Sequence, residues 1–207
     1  MRVILASNNQ GKLKEIKHNL SHIEIIPYFE LMETFEVVED APTFVGNATK
    51  KAKEIYEKLA DKMEEGDYIL SDDSGICVDA LDGEPGIHSA RYAHKCSGSV
   101  VERNSEDKAN LQMLISNLAK KQVQTSKAHY VAILVLCDYR GSCEVFEGQM
   151  HGEVTASARG ENGFGYDPIF VPEGYEATLA QMDFAVKQSI SHRGIALVKL
   201  KKYFAVL

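Results

Sequence analysis

Apolar positions recur along this chain with two alternating periods, and together they sketch an α/β fold. Residues 2–6 (RVILA) are a short apolar run closed by SNNQGK, which predicts a strand and then a turn. Leu13, Ile16 and Leu20 follow at helical spacing with Lys and Glu between them. The chain therefore opens strand, loop, helix. That loop joins a strand's carboxyl end to a helix's amino end, a common ligand position in open α/β sheets. Residues 23–28 (IEIIPY) predict a second strand, with Pro27 near its end. Phe44, Ala48, Ala52, Ile55, Leu59 and Met63 form one apolar stripe on a long helix, with Asn47 and Lys51 beside it, one turn apart.

The segment YILSDDSGICVDAL predicts a strand, a kink at Asp72 to Gly75, and a second strand; residues 102–120 predict a helix. In AHYVAILVLCD, Tyr130, Ala132, Leu134 and Leu136 alternate with Val131, Ile133 and Val135, so both faces are apolar. A central strand covered on both sides has this pattern. Residues 142–155 predict its antiparallel neighbour, and Leu197, Leu200, Phe204 and Leu207 a closing helix. No repeat, low-complexity tract or long linker interrupts the series.

The chain has 207 residues, 44% of them hydrophobic and 26% charged, enough for one good core, in one domain or two closely packed lobes. Its net charge of −7 gives it no general attraction for nucleic acid or an anionic membrane. A phosphate ligand would need a local cluster of cations. The apolar run at residues 3–6 is too short for a secretion signal, and no stretch approaches a membrane span. Cys77, Cys96, Cys137 and Cys143 show neither CxxC nor zinc spacing. These features together predict a cytoplasmic protein with free thiols.

Four clusters carry candidate chemistry. Ser7, Asn8, Asn9, Gln10, Gly11 and Lys12, with Glu15 one turn on, can aim backbone N–H groups and an ammonium at an anion; an ordinary helix N-cap explains the same residues. Asp72 and Asp73, with Ser74 and Gly75, lie between apolar strand halves, where two carboxylates are costly unless something uses them. A metal ligand or general base is the functional reading, a solvated turn the plain one. Consecutive strand residues face opposite ways, so both acids share a site only if Gly75 breaks the strand. Phe164, Gly165, Tyr166 and Asp167, after Gly163, allow close backbone approach and stacking on a flat ligand, or form a hairpin corner. Lys187 with Ser191, His192 and Arg193 can hold phosphate or a base edge, or start a helix. Glu39 precedes a helix start and matters if a metal needs a second carboxylate. The remaining histidines show no partner pattern.

Taken in order, ASNNQGKLKEI, ETFEVVEDAPTFVGNATKKA, SDDSGICVDALDGEPGIHSARYA, NGFGYDPIF and SHRGIAL resemble the inosine triphosphate pyrophosphatase family over nearly the whole chain. The resemblance implies a mixed, elongated sheet with helices on both sides and a ligand cleft between two lobes. It implies a homodimer that hydrolyses ITP, dITP and XTP to the monophosphate and pyrophosphate with Mg2+. By the same resemblance, the Ser7–Lys12 segment binds the triphosphate, Asn47 and Lys51 lie on the phosphate-facing helix, and Ser74 touches substrate. Glu39 and Asp73 hold the metal, and Asp73 accepts a proton from the attacking water. Phe164, Gly165, Tyr166 and Asp167 flank the base, while Lys187, His192 and Arg193 read the 6-oxo group. Two departures bear on the base pocket: Asn162 stands where a second glycine is common, and MDFAV precedes Lys187. The alternatives are a pyrophosphatase of dTTP, UTP or modified pyrimidines, a silent nucleotide-binding protein, and a phosphatase releasing orthophosphate.

Overall fold

The computed structural model describes residues 1–97 and 103–206. The strands are β1 (Arg2–Ala6), β2 (Glu24–Pro27), β3 (Asp67–Val78), β4 (Thr125–Asp138), β5 (Cys143–Thr155) and β6 (Phe170–Pro172). The helices are α1 (Gln10–Asn19), α2 (Phe44–Leu59), α3 (Tyr92–Ser97), α4 (Arg103–Lys120), α5 (Phe184–Ile190) and α6 (His192–Phe204). One sheet runs in the order β2-β1-β3-β4-β5-β6. It is mixed: β1 pairs parallel with β2 and β3, and β5 pairs antiparallel with β6. The expected α/β class is what forms. Glu102 and Leu207, expected at helix ends, lie outside the described residues.

The chain folds as two compact units, each assembled from separated segments. The first comprises Met1–Asp73, Ala132–Gly148 and Arg193–Leu207; the second, Ser74–Val131 and Gln149–His192. In the first, Val3, Leu5, Ile16, Leu20, Leu70, Leu134, Leu197 and Leu200 form a fully buried apolar cluster. This is the β1 run, the α1 stripe and the closing-helix stripe meeting as their periods require. In the second, Ile76, Val78, Tyr92, Leu114, Leu118, Val154 and Phe170 do the same.

Three expectations are corrected. The α2 stripe ends at Leu59, because residues Ala60–Lys62 tighten into a 3-10 turn and Met63 is extended. The predicted kink at Asp72 to Gly75 is absent: β3 continues from Asp67 to Val78, and Gly75 does not take a left-handed conformation. The free-thiol expectation holds for Cys77 and Cys96 only, since Cys137 and Cys143 are disulfide-bonded with Cα atoms 4.0 Å apart. The short turn between β4 and β5, where Ser142 O accepts from Asp138 N, brings these cysteines across from each other.

Candidate active site

In the first unit, the polar loop after β1 folds back on itself. Asn9 is the N-cap of α1, its Oδ1 accepting from Lys12 N at 3.0 Å, and Ser7 Oγ accepts from Asn9 N at 3.2 Å. Asn8 Nδ2 donates to Tyr28 Oη at 3.0 Å, and its buried Oδ1 has no protein partner. The capping reading is therefore correct for Asn9. Gln10 and Gly11 form the first turn of α1, and capping sets Lys12 in place on that turn.

Because β3 is unbroken, its two aspartates face different partners. Asp72 takes Lys12 Nζ on Oδ1 and Arg193 Nε on Oδ2, the latter at 2.8 Å; Arg193 Nη1 also pairs with Glu15. Arg193, Asp72 and Glu15 are at most 2% exposed. Burial alone would raise Asp72, but attraction to Arg193 and Lys12 outweighs it and holds Asp72 well below the usual carboxylate range. Burial would lower Arg193, and Asp72 and Glu15 overcome that and raise it.

Asp73 Oδ1 takes Lys51 Nζ at 3.1 Å, and Lys51 also donates to Glu39 Oε1 at 2.9 Å. Asp73 is raised above an ordinary aspartate, chiefly by burial and further by Glu39, with Lys51 and Lys12 only partly opposing. Lys12 is lowered by burial, with Lys51 and Arg193 adding to the effect and Asp72 opposing it. Lys51 is raised: its two carboxylates overcome its burial. The Oδ2 of Asp73 is buried without a hydrogen-bond partner. Asn47, placed with the phosphate ligands from the resemblance, is fully buried and its Oδ1 accepts from Ala41 N at 3.0 Å.

In the second unit, Asp167 organises the aromatic loop. Its Oδ2 accepts from Lys187 Nζ at 2.6 Å and from Phe164 N at 2.8 Å. Lys187 Nζ lies 4.6 Å from the centroid of the half-buried Phe164 ring. Gly163 has φ +80°, and a Cβ there would fall 2.0 Å from Asp167 Oδ2, so only glycine fits. Gly165 N donates to Asp107 Oδ2 at 3.1 Å. Tyr166 is buried with its hydroxyl donating to Ser89 O at 2.8 Å, and its phenol is pushed up by burial. His192 stacks on Tyr130 with centroids 4.6 Å apart, and Tyr130 packs edge-on against Phe170. Ser74 is half-buried on β3. The two departures touch each other: Asn162 Nδ2 donates to Met182 O at 3.3 Å.

The sequence reading missed Tyr130, Ser89 and Asp107, which lie far along the chain from the loops they support. Tyr130 in particular looked like one more apolar strand position. A separate cavity of about 470 Å³ in the second unit is lined by His129, His151, Glu153 and Tyr175 among others, and by none of the expected site residues.

The comparisons with known proteins agree with one another. The Ham1 family model matches residues 3–203. A protein of Sulfurimonas denitrificans named dITP/XTP pyrophosphatase is 47% identical over 198 residues, 95% of each chain. One of Campylobacter jejuni with the same name is 41% identical, covering 100% of this chain and 98% of the relative. Among solved structures, the Ham1 protein of Staphylococcus aureus superposes with a TM-score of 0.81 at 35% identity, over 99% of this chain and 98% of that one. A HAM1 protein from Coxiella burnetii gives 0.82 at 31% identity, over 100% of both chains. The match extends over almost every residue that builds these clusters, and this chain belongs to the Ham1 family.

Proposed function

We propose that this chain hydrolyses dITP, XTP and ITP to the monophosphate and pyrophosphate, with Asp73 as the proton acceptor for the attacking water. The observation that carries this is the place of Asp73: a buried carboxylate with one oxygen on Lys51 and the other without a partner. Lys12 and Lys51 meet the phosphates, beside the Ser7–Gly11 loop. Lys12's lowered pKa reflects burial and cationic neighbours, a setting that a polyanion relieves.

The charge count argues for a metal. Lys12, Lys51 and Arg193 face Asp72, Asp73, Glu15 and Glu39, so three cations meet four carboxylates. A triphosphate adds about four negative charges, and a divalent cation offsets part of them. Glu39 and Asp73 already share one cation, the Lys51 ammonium, and Asp73 Oδ2 is open to another. Among the described residues no group of three or more His, Cys, Asp or Glu is spaced to hold a metal. Mg2+ suits two carboxylates, because it keeps water and substrate oxygens as its other ligands. When bound, Mg2+ acidifies the attacking water and offsets charge on the leaving pyrophosphate.

In the second unit, Phe164 offers the stacking ring and Gly165 the close backbone, while Asp167 and Tyr166 fix the loop. Lys187 and His192 supply donors for a 6-oxo group. Adenine's amino group would leave a buried donor facing a donor, at about 1–3 kcal/mol. We place the protein in the cytoplasm on its sequence features and as a homodimer on the family resemblance. Among the described residues no helix is long and apolar enough to cross a membrane.

The test is direct. Pure protein with Mg2+ is given ITP, XTP, dTTP and ATP, and the phosphorus product is identified. Pyrophosphate from ITP and XTP is expected; orthophosphate, or equal turnover of ATP or dTTP, would refute the assignment. Asp73→Asn should cut turnover by about 10²–10⁴ with the fold retained.

A further inference from the structure

Glu39 lies in a stretch, residues 33–41, that is neither helix nor strand. A backbone without ladder partners must be fixed by other groups if it is to present a side chain in one place. Tyr28 Oη donates to Phe35 O at 3.3 Å at the start of the stretch, and the anchors nearest Glu39 are on α2. Asn47 is 0% exposed, and its Oδ1 takes Ala41 N at 3.0 Å, two residues from Glu39. Gly46 makes room for the same residue, since a Cβ on Gly46 would sit 2.7 Å from Ala41 Cβ. Thr43 caps α2 through Gly46 N, and Ser71 Oγ on β3 donates to Ala48 O at 2.7 Å, which ties this turn of α2 to the strand that carries Asp73.

Two ion pairs also hold the stretch, Lys51–Glu39 at 2.9 Å and Lys50–Asp40 at 2.7 Å. The first is the pairing a divalent cation competes with, and the second has an exposed carboxylate that water screens. The Asn47–Ala41 bond is neutral and survives the arrival of a cation. We propose that Asn47 and Gly46 form a seat that positions Glu39 for the divalent cation, so that Asn47 is a positioning residue rather than a substrate contact. This rests on the reading that Glu39 and Asp73 hold Mg2+.

The test measures Mn2+ binding to the free protein by electron paramagnetic resonance, then the Mg2+ dependence of turnover and the nucleotide KM at saturating Mg2+. Asn47→Ala and Gly46→Ala should each weaken Mn2+ by about 10-fold or more, the usual effect of losing a group that orients a metal ligand. Both should raise the Mg2+ needed for half-maximal turnover and leave the nucleotide KM at saturating Mg2+ unchanged. Gly46→Ala displaces Ala41 while favouring the helix itself, so it carries the test if Asn47→Ala does not fold. Lys50→Ala should leave Mn2+ affinity as it was. If Glu39→Gln weakens Mn2+ and neither seat variant does, the seat is refuted and the metal assignment stands. A raised nucleotide KM with unchanged Mn2+ affinity in Asn47→Ala also refutes it. If Glu39→Gln itself leaves Mn2+ affinity unchanged, the metal assignment falls and the seat with it.

Discussion

Arg193→Met is the sharpest probe of the first unit. The guanidinium is 1% exposed and bonds two carboxylates that are themselves buried, Asp72 through Nε at 2.8 Å and Glu15 through Nη1. Methionine fills much of the side chain's volume, so the loss is electrostatic rather than a large cavity. Asp72 retains Lys12, which limits the damage on that side. Removing one partner of a buried ion pair typically costs about 3–5 kcal/mol, and we expect a total in that range here. Urea unfolding at neutral pH should show the midpoint falling by about 1 M or more at unchanged slope. The sign of a second substitution is the stricter test. Glu15→Gln in the Arg193→Met background removes the buried charge that lost its guanidinium, so the double variant should be more stable than Arg193→Met alone. A loss below about 1 kcal/mol for Arg193→Met, or a Glu15→Gln effect that simply adds to it, would refute the network as the source of the stability.

Three further outcomes follow from the same geometry. Asp72 is held well below its unfolded pKa, so its contribution is complete above the ordinary aspartate range and fades as pH falls below it; the stability gap between wild type and Asp72→Asn in urea should narrow as pH drops from 5 towards 2. A wild-type advantage that is constant with pH would contradict this. Gly163→Ala must move Asp167 or the loop, because φ is +80° and the new Cβ lands 2.0 Å from Asp167 Oδ2; the nucleotide KM should rise about 10-fold or more for a lost charge-assisted contact, and an unchanged KM would detach this loop from base recognition. Reducing Cys137–Cys143, which closes a loop of sequence separation 6, should lower stability by about 2 kcal/mol by the chain-entropy relation, with titratable thiols rising from two to four; four reactive thiols in the untreated, unfolded protein would show that the bond does not form.

The regular elements were legible because each is set by a local period: the stripe of α2 from Phe44 to Leu59, the double-faced apolar run of β4, the β1 strand and its capped helix. The Cys137–Cys143 bond was not legible from spacing. It depends on the turn at Asp138–Ser142 closing, which is a property of the paired strands rather than of the cysteines. The α2 end was overrun for a similar reason: Met63 keeps the stripe's spacing, and only the tightened turn at Ala60–Lys62 takes it off the helix. Ring partners such as Tyr130 under His192 were invisible, because one apolar strand position looks like the next.

The adjacent aspartates show how a site can be present in the sequence while its working depends on the backbone. The sequence posed a choice: either Gly75 breaks the strand and both acids share one task, or the strand continues and they divide. The strand continues. Alternation then gives Asp72 the two cations that lower it, and gives Asp73 the more weakly compensated position in which burial raises it. One carboxylate becomes a fixed anion paired with Lys12 and Arg193; the other keeps one oxygen without a partner, which is where the proposed chemistry would fall. The same reasoning shows how a chain of net charge −7 could take the proposed triphosphate without a positive surface. Lys12 and Lys51 are held by acids, so on the proposed reading the polyanion would enter by exchanging partners within a set of charges that is already paired.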